Sequence, residues 1–124
     1  MRVISETEDR TVTTPNAVMA SLAGPSQGSA ALSTWSVRMA AGASGPVHII
    51  DREQVWMLLS GALAFTADGE TGTATAGQAV VVPAGVTRQI RAGDTPAEAL
   101  VCMPVGGQVT VPGDDSWRPL PWGQ

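Results

Sequence analysis

The chain has 124 residues and a net charge of -4, from seven arginines and no lysine against eleven acidic side chains. Arg2, Arg10, Arg38, Arg52, Arg88, Arg91 and Arg118 form no run that could track a phosphate backbone, so neither nucleic acid nor an anionic membrane is expected as a partner. One domain fills this length, and its single cysteine, Cys102, excludes an internal disulfide and a cysteine-only metal site.

The opening MRVISETEDR carries acid where a signal peptide would carry its apolar core. No apolar run approaches the roughly 18 residues of a membrane span, and a cytoplasmic location is expected. Residues 1–30 read as an N-terminal arm. Thr11 to Thr14 is β-prone but stopped by Pro15, and Ala17 to Leu22 suits either one helical turn or an arm laid on another surface, such as a partner subunit.

From residue 31 the pattern turns to period two, with Leu32, Thr34, Ser36 and Arg38 on one face of a strand and Trp35, Val37 and Met39 on the other. Further strands are expected at Val47 to Ile50, Gln54 to Leu59, Ala62 to Thr66, Gly72 to Thr75, Ala79 to Val82, Val86 to Ile90, Ala97 to Met103 and Gln108 to Val111. Asp68-Gly69 marks a tight hairpin. No apolar stripe between 31 and 111 keeps a helical period, so the fold class is all-β, a sandwich or small barrel. Residues 112–124 form a tail with Trp117, Leu120 and Trp122 among prolines, and its tryptophans predict that it packs on the barrel or on a partner.

The stretch Gly42 to Gly61 carries the only histidine, His48. Its spacing resembles the first motif of the cupin superfamily, G-x5-H-x-H-x3-E-x6-G, aligned as Gly42, His48, Ile50, Gln54 and Gly61. The second motif, G-x5-P-x-G-x2-H-x3-N, aligns as Gly77, Pro83, Gly85, Arg88 and Ala92. The resemblance covers residues 31–111 and implies a double-stranded β-helix, or jelly-roll cupin barrel, of the small single-domain bacterial kind. Family members commonly hold a divalent metal with two histidines and a glutamate from the first motif and a histidine from the second. Of those four positions only His48 is kept. Ile50 cannot ligate, Gln54 offers a weak neutral oxygen, and Arg88 brings a cation to a cation's place. The metal motif is therefore degenerate and no cofactor is expected; a metal centre would have to recruit Asp51, Gln54 or Cys102.

The family position turns His48 into the barrel, either as a hydrogen-bonded vestige or as a ligand-binding or acid/base group. Arg88, also placed inward, needs an anion on the protein or on a ligand. Gln54 and Trp56 share the face that begins at the ligand position, so both are expected to bind ligand, as is Arg38 should the Ser36/Arg38 face turn inward. Leu100 and Cys102 share a face and are expected in the same cavity, with Cys102 among the ligand-binding residues. His48 and Arg88, facing one another across it, are the catalytic candidates, with no metal among the site residues. Val55, Met57 and Leu59 are apolar on the opposite face and predict a cover, most simply a second copy in a homodimer, as is frequent among small cupins. The function expected is metal-independent binding of a small anionic or enolate-type metabolite, either with isomerase- or cyclase-like activity or as a non-catalytic binding or regulatory module. The third reading is a divergent metal-dependent dioxygenase or isomerase.

Overall fold

The computed structural model describes residues 1–124. Its strands are β1 (Thr11–Thr13), β2 (Val18–Ser21), β3 (Leu32–Met39), β4 (His48–Ile50), β5 (Gln54–Ser60), β6 (Ala62–Ala67), β7 (Glu70–Thr75), β8 (Ala79–Val82), β9 (Thr87–Ala92), β10 (Ala97–Pro104), β11 (Gln108–Thr110) and β12 (Arg118–Pro119). They form two six-stranded antiparallel sheets, in the orders β1-β2-β3-β10-β5-β8 and β12-β11-β4-β9-β6-β7. The architecture is the jelly-roll barrel that the motif spacing implies. The eight strands expected after Met39 and the one before it appear with ends shifted by at most two residues.

Period two decides what each strand buries. In the first sheet Trp35, Val37 and Met39 of β3, Ala99 and Val101 of β10, and Trp56 and Leu58 of β5 all turn inward. The second sheet answers with Ile50, Leu63, Phe65 and Ile90. Trp56 meets Phe65 edge-on across the two layers, centroids 5.5 Å apart at 76°, which ties the sheets together at the barrel's centre.

Two turns need their glycines. Chain passing from β5 to β6 changes sheets at Gly61, whose φ of 68° is left-handed and where a Cβ would overlap the Pro96 carbonyl oxygen. The β6–β7 hairpin turns through Asp68 and Gly69 with φ of 48° and 80°, the double positive φ of a type I′ turn.

The two ends of the chain complete the barrel. Ala17 to Leu22, expected as a helical turn or an arm laid on another surface, is instead largely strand β2. It pairs with β3 of its own chain from Val18 opposite Arg38 to Ser21 opposite Trp35, because β3 would otherwise leave a bare edge. The tail returns to the same region. The Ser21 hydroxyl donates to the Trp122 carbonyl at 2.8 Å and the Ser33 hydroxyl to the Gly123 carbonyl at 2.6 Å, while Leu120 is 4 % exposed. Trp117 departs from the expectation and stays 41 % exposed.

Candidate functional site

A cavity of about 290 Å³ opens between the sheets. Trp35, Val37 and Met39 of β3, Trp56 of β5, and Ile50 and Ile90 of the second sheet make its apolar floor and walls. The loop from Thr14 to Ala17 and the tail residues Arg118, Leu120 and Trp122 also line it. The arm and tail that complete the sheets thus also build the cavity, and no aspartate or glutamate lines it.

His48 opens β4, follows the irregular segment Gly45-Pro46-Val47, and is half-buried in the cavity wall. Its Nδ1 lies 2.7 Å from the Pro46 carbonyl oxygen. A carbonyl only accepts, so Nδ1 carries the hydrogen and, in the neutral ring, Nε2 carries the lone pair. Burial pushes the His48 pKa below its ordinary 6.5, and the charge of Arg88 pushes the same way, against the Pro46 hydrogen bond. The ring is neutral at physiological pH and able to accept a proton.

Arg88 lies directly opposite His48 in the pairing of β9 with β4. The two are cross-strand neighbours, which corrects the expectation that they face one another over the cavity. Arg88 is 2 % exposed and outside the cavity lining. Its Nη2 donates to the Pro83 carbonyl at 2.7 Å, its Nη1 to Gln54 Oε1 at 3.3 Å, and its Nε to the Val86 carbonyl at 3.4 Å. All three acceptors are neutral. Neither ion pair of the chain includes Arg88, and desolvation pushes its pKa down to about 10.

Gln54 connects this buried charge to the cavity. Its Oε1 also accepts from Trp56 Nε1 at 3.1 Å, and its Nε2 sits 3.6 Å from Met103 Sδ. Trp56 and Arg88 can only donate, so the amide oxygen must face them. Two donors on one amide oxygen polarise the amide and strengthen its N–H as a donor. Gln54 and Trp56 therefore line the cavity as expected, with Arg88 behind them.

Three other expected contributors lie elsewhere. Arg38 points outward, 3.1 Å from Glu6, because Trp35, Val37 and Met39 occupy the inner face of its strand. Leu100 and Cys102 also face away from the cavity. β10 runs between β3 and β5, and on its inner face Val101 is flanked by Trp35 on one side and Trp56 on the other. Two tryptophans leave room only for small side chains between them, so Ala99 and Val101 turn in and the Leu100/Cys102 face turns out. Asp51 is engaged locally, in an ion pair with Arg52 at 3.1 Å and as acceptor from the Gln108 amide at 2.7 Å.

The cupin-domain family model matches residues 35–103, more than half of the chain. The chain belongs to the cupin family. Among solved structures this cupin is similar to the polyketide cyclase RemF from Streptomyces resistomycificus, with a TM-score of 0.71 and 20 % identity over 84 % of this chain and 79 % of that one. It is similar to a sugar phosphate isomerase of the cupin superfamily from Silicibacter pomeroyi, with a TM-score of 0.64 and 23 % identity over 80 % and 68 % of the two chains. A salicylate 1,2-dioxygenase from Pseudoaminobacter salicylatoxidans superposes with a TM-score of 0.71 and 19 % identity, over 83 % of this chain and 33 % of that one. At such identities the likeness concerns the fold. No curated protein matches the sequence.

The family's metal does not fit the side chains of this cupin. No group of three or more His, Cys, Asp or Glu side chains comes together. Around His48 the equivalent positions hold an aliphatic Ile50, a Gln54 whose oxygen is already shared by two donors, and the guanidinium of Arg88. A divalent cation there would meet one imidazole and a fixed positive charge. Asp51 is occupied by Arg52 and Gln108, and Cys102 lies on the outer face, so neither completes a donor set.

Sequence reasoning missed Thr14, Asn16, Ala17, Arg118, Leu120 and Trp122 as cavity residues. The crowding of tryptophan and leucine between prolines showed that the tail packs. Nothing in its pattern showed that it packs across the barrel mouth.

Proposed function

We propose that this cupin binds a small, flat, largely apolar metabolite without a metal and moves a proton on it, in an isomerisation or ring closure. The carrying observation is that His48, with Nδ1 held by the Pro46 carbonyl, and the Gln54 amide, backed by Arg88, line the same cavity. In such a step the C–H bond next to a ligand carbonyl breaks and its proton goes to Nε2. The electron pair passes to the carbonyl oxygen as an enolate. The Gln54 N–H donates to that oxygen, and the positive charge of Arg88 favours the developing anion in a site with little water to screen it. Returning the proton to another atom gives an isomer, and attack of the enolate carbon on a second carbonyl of the same molecule gives a ring. Neither needs an oxidant or reductant. The names of the cyclase and the isomerase that share the fold agree with this class of chemistry.

Proton exchange on aryl diketones in deuterium oxide, followed by proton NMR, tests the reading. The wild type speeds exchange at the carbon between the carbonyls, and His48→Gln slows it on the order of a hundredfold. Binding without exchange assigns the chain to the second reading, a non-catalytic binding or regulatory cupin, which the apolar walls favour. A stoichiometric metal lost in His48→Ala would overturn the metal-free proposal.

We also propose that the chain forms a homodimer through the outer face of β5 and its neighbours. Met57, Leu59 and Val81 are 37 %, 49 % and 60 % exposed, and Leu100 and Cys102 lie beside them in register. An apolar sheet face of this kind favours a partner. Light scattering at micromolar concentration reads the mass, and a monomer there refutes the dimer.

A further inference from the structure

We infer that Arg118 selects the ligand: it holds a carboxylate at the mouth of the cavity while the apolar body of the same molecule reaches inward to His48. The inference rests on the cavity being a small-molecule site and adds the ligand's class, a bicyclic aromatic acid.

Charge distribution carries it first. Acidic side chains outnumber arginines eleven to seven in the chain, yet the cavity wall contains Arg118 and no carboxylate. Arg118 makes neither of the chain's two ion pairs. Hydrogen bonds from Ser116 chiefly hold the Asp114 carboxyl below its ordinary range, with the charge of Arg118 adding to them, yet Asp114 lies beyond ion-pair distance of Arg118. A cation left free at a cavity mouth in an acidic protein attracts anions to that mouth. Guanidinium is suited to a planar, two-oxygen acid because its N–H groups meet a carboxylate in pairs.

Register supplies the second part. Arg118 lies opposite Val109, and Val109 lies opposite Ile50, so one row crosses three strands with every member lining the cavity. His48 is two residues from Ile50 on the same face. With strands about 4.8 Å apart and about 3.4 Å per residue along them, the Cα atoms of Arg118 and His48 are separated by roughly 12 Å. Both side chains rise from the same face, so their ends stay about that far apart, roughly the span of two fused rings bearing a carboxylate with a contact distance at each end. Ile50 and Val109 lie between them, and the indoles of Trp35, Trp56 and Trp122 line the same cavity as surfaces on which flat rings pack. Leu120 anchors the tail two residues after Arg118, so the arginine is carried by a packed segment although its own side chain is exposed.

Naphthoate and its neutral counterpart naphthamide are the probes, followed by quenching of tryptophan fluorescence. The wild type prefers naphthoate by on the order of tenfold, a preference that shrinks as salt rises. Arg118→Gln abolishes the preference by weakening naphthoate alone, and Arg118→Lys restores part of it. Arg118 is exposed, so circular dichroism should show both variants folded like the wild type. A preference that survives in Arg118→Gln overturns the inference and leaves the cavity reading standing. Failure of the wild type to bind either probe overturns both.

Discussion

Arg38 keeps its guanidinium on the outer face of the first sheet, 3.1 Å from Glu6, while Arg88 lies 2 % exposed inside the second sheet with only neutral oxygens around it. The chain places its ion pair where water already lowers the cost of charge, and leaves unpaired the charge whose burial is costly. Desolvation without a counter-charge costs on the order of several kcal/mol per ion, and three neutral acceptors recover part of that. An arrangement that lowers stability persists where something outside the fold uses it, and the adjoining cavity, with His48 and Gln54 in its wall, is where an anion would complete it.

Gln54 gives the largest test of this contrast. Gln54→Leu removes the oxygen shared by Arg88 and Trp56 and leaves two buried donors short of a partner, so urea unfolding should show a loss of about 2–4 kcal/mol. Gln54→Glu should keep stability near that of the wild type, because it supplies Arg88 with the missing carboxylate, while naphthoate binding falls. If Gln54→Leu costs less than about 0.5 kcal/mol, the buried charge is not strained and the contrast fails. Arg88→Met comes next. It removes the charge while keeping a similar length, and the expected outcome is unchanged stability or a gain of about 1–3 kcal/mol. Diketone exchange should weaken in the same variant, a gain in stability against a loss of function.

Much of this contrast was legible in sequence, and the remainder depended on pairings between distant segments. The resemblance of the Gly42–Gly61 and Gly77–Gly85 spacing to the cupin motifs implied that His48, Gln54 and Arg88 turn inward, and period two carried that assignment along the strand to Trp56. Leu100 and Cys102 share their face of β10 with Glu98, against Ala97, Ala99, Val101 and Met103, so that one charge is the local mark of the outer side. The packing that enforces it comes from the tryptophans on either side, more than forty residues away in sequence. The adjacency of His48 and Arg88, and the return of Arg118 to the cavity, are likewise matters of register between remote strands.

His48 offers a smaller, pH-dependent test. Its pKa lies below the ordinary 6.5 in the folded protein, chiefly through burial and further through Arg88. The unfolded chain therefore takes up this proton at higher pH than the folded one. The contribution to stability is fully present above about 6.5 and is lost as pH falls from there through the folded value. Urea midpoints measured between about pH 7 and pH 5 should drop in the wild type, and His48→Gln should flatten that part of the curve. The carboxylates held low, such as Glu6, act further into acid and are separable by their window. In Arg88→Met the imidazole should titrate at higher pH by NMR, because a neighbouring positive charge has gone.

The smallest effect belongs to Arg38. Its side chain and that of Glu6 are 41 % and 37 % exposed, so their attraction is screened and Arg38→Gln should change stability by about 0.5 kcal/mol or less. Glu6→Gln should cost more, because Glu6 Oε1 also accepts the Ser36 hydroxyl, and that hydrogen bond, ahead of Arg38, is what holds the Glu6 carboxyl below its ordinary range. Diketone exchange should stay within about twofold of wild type in Arg38→Gln, since Arg38 faces away from the cavity and salt screens it over that distance. A loss of exchange comparable to that in Arg88→Met would mean that net charge alone stabilises the anion. The buried position of Arg88 would then explain nothing, and the two arginines would differ only in how much stability each costs.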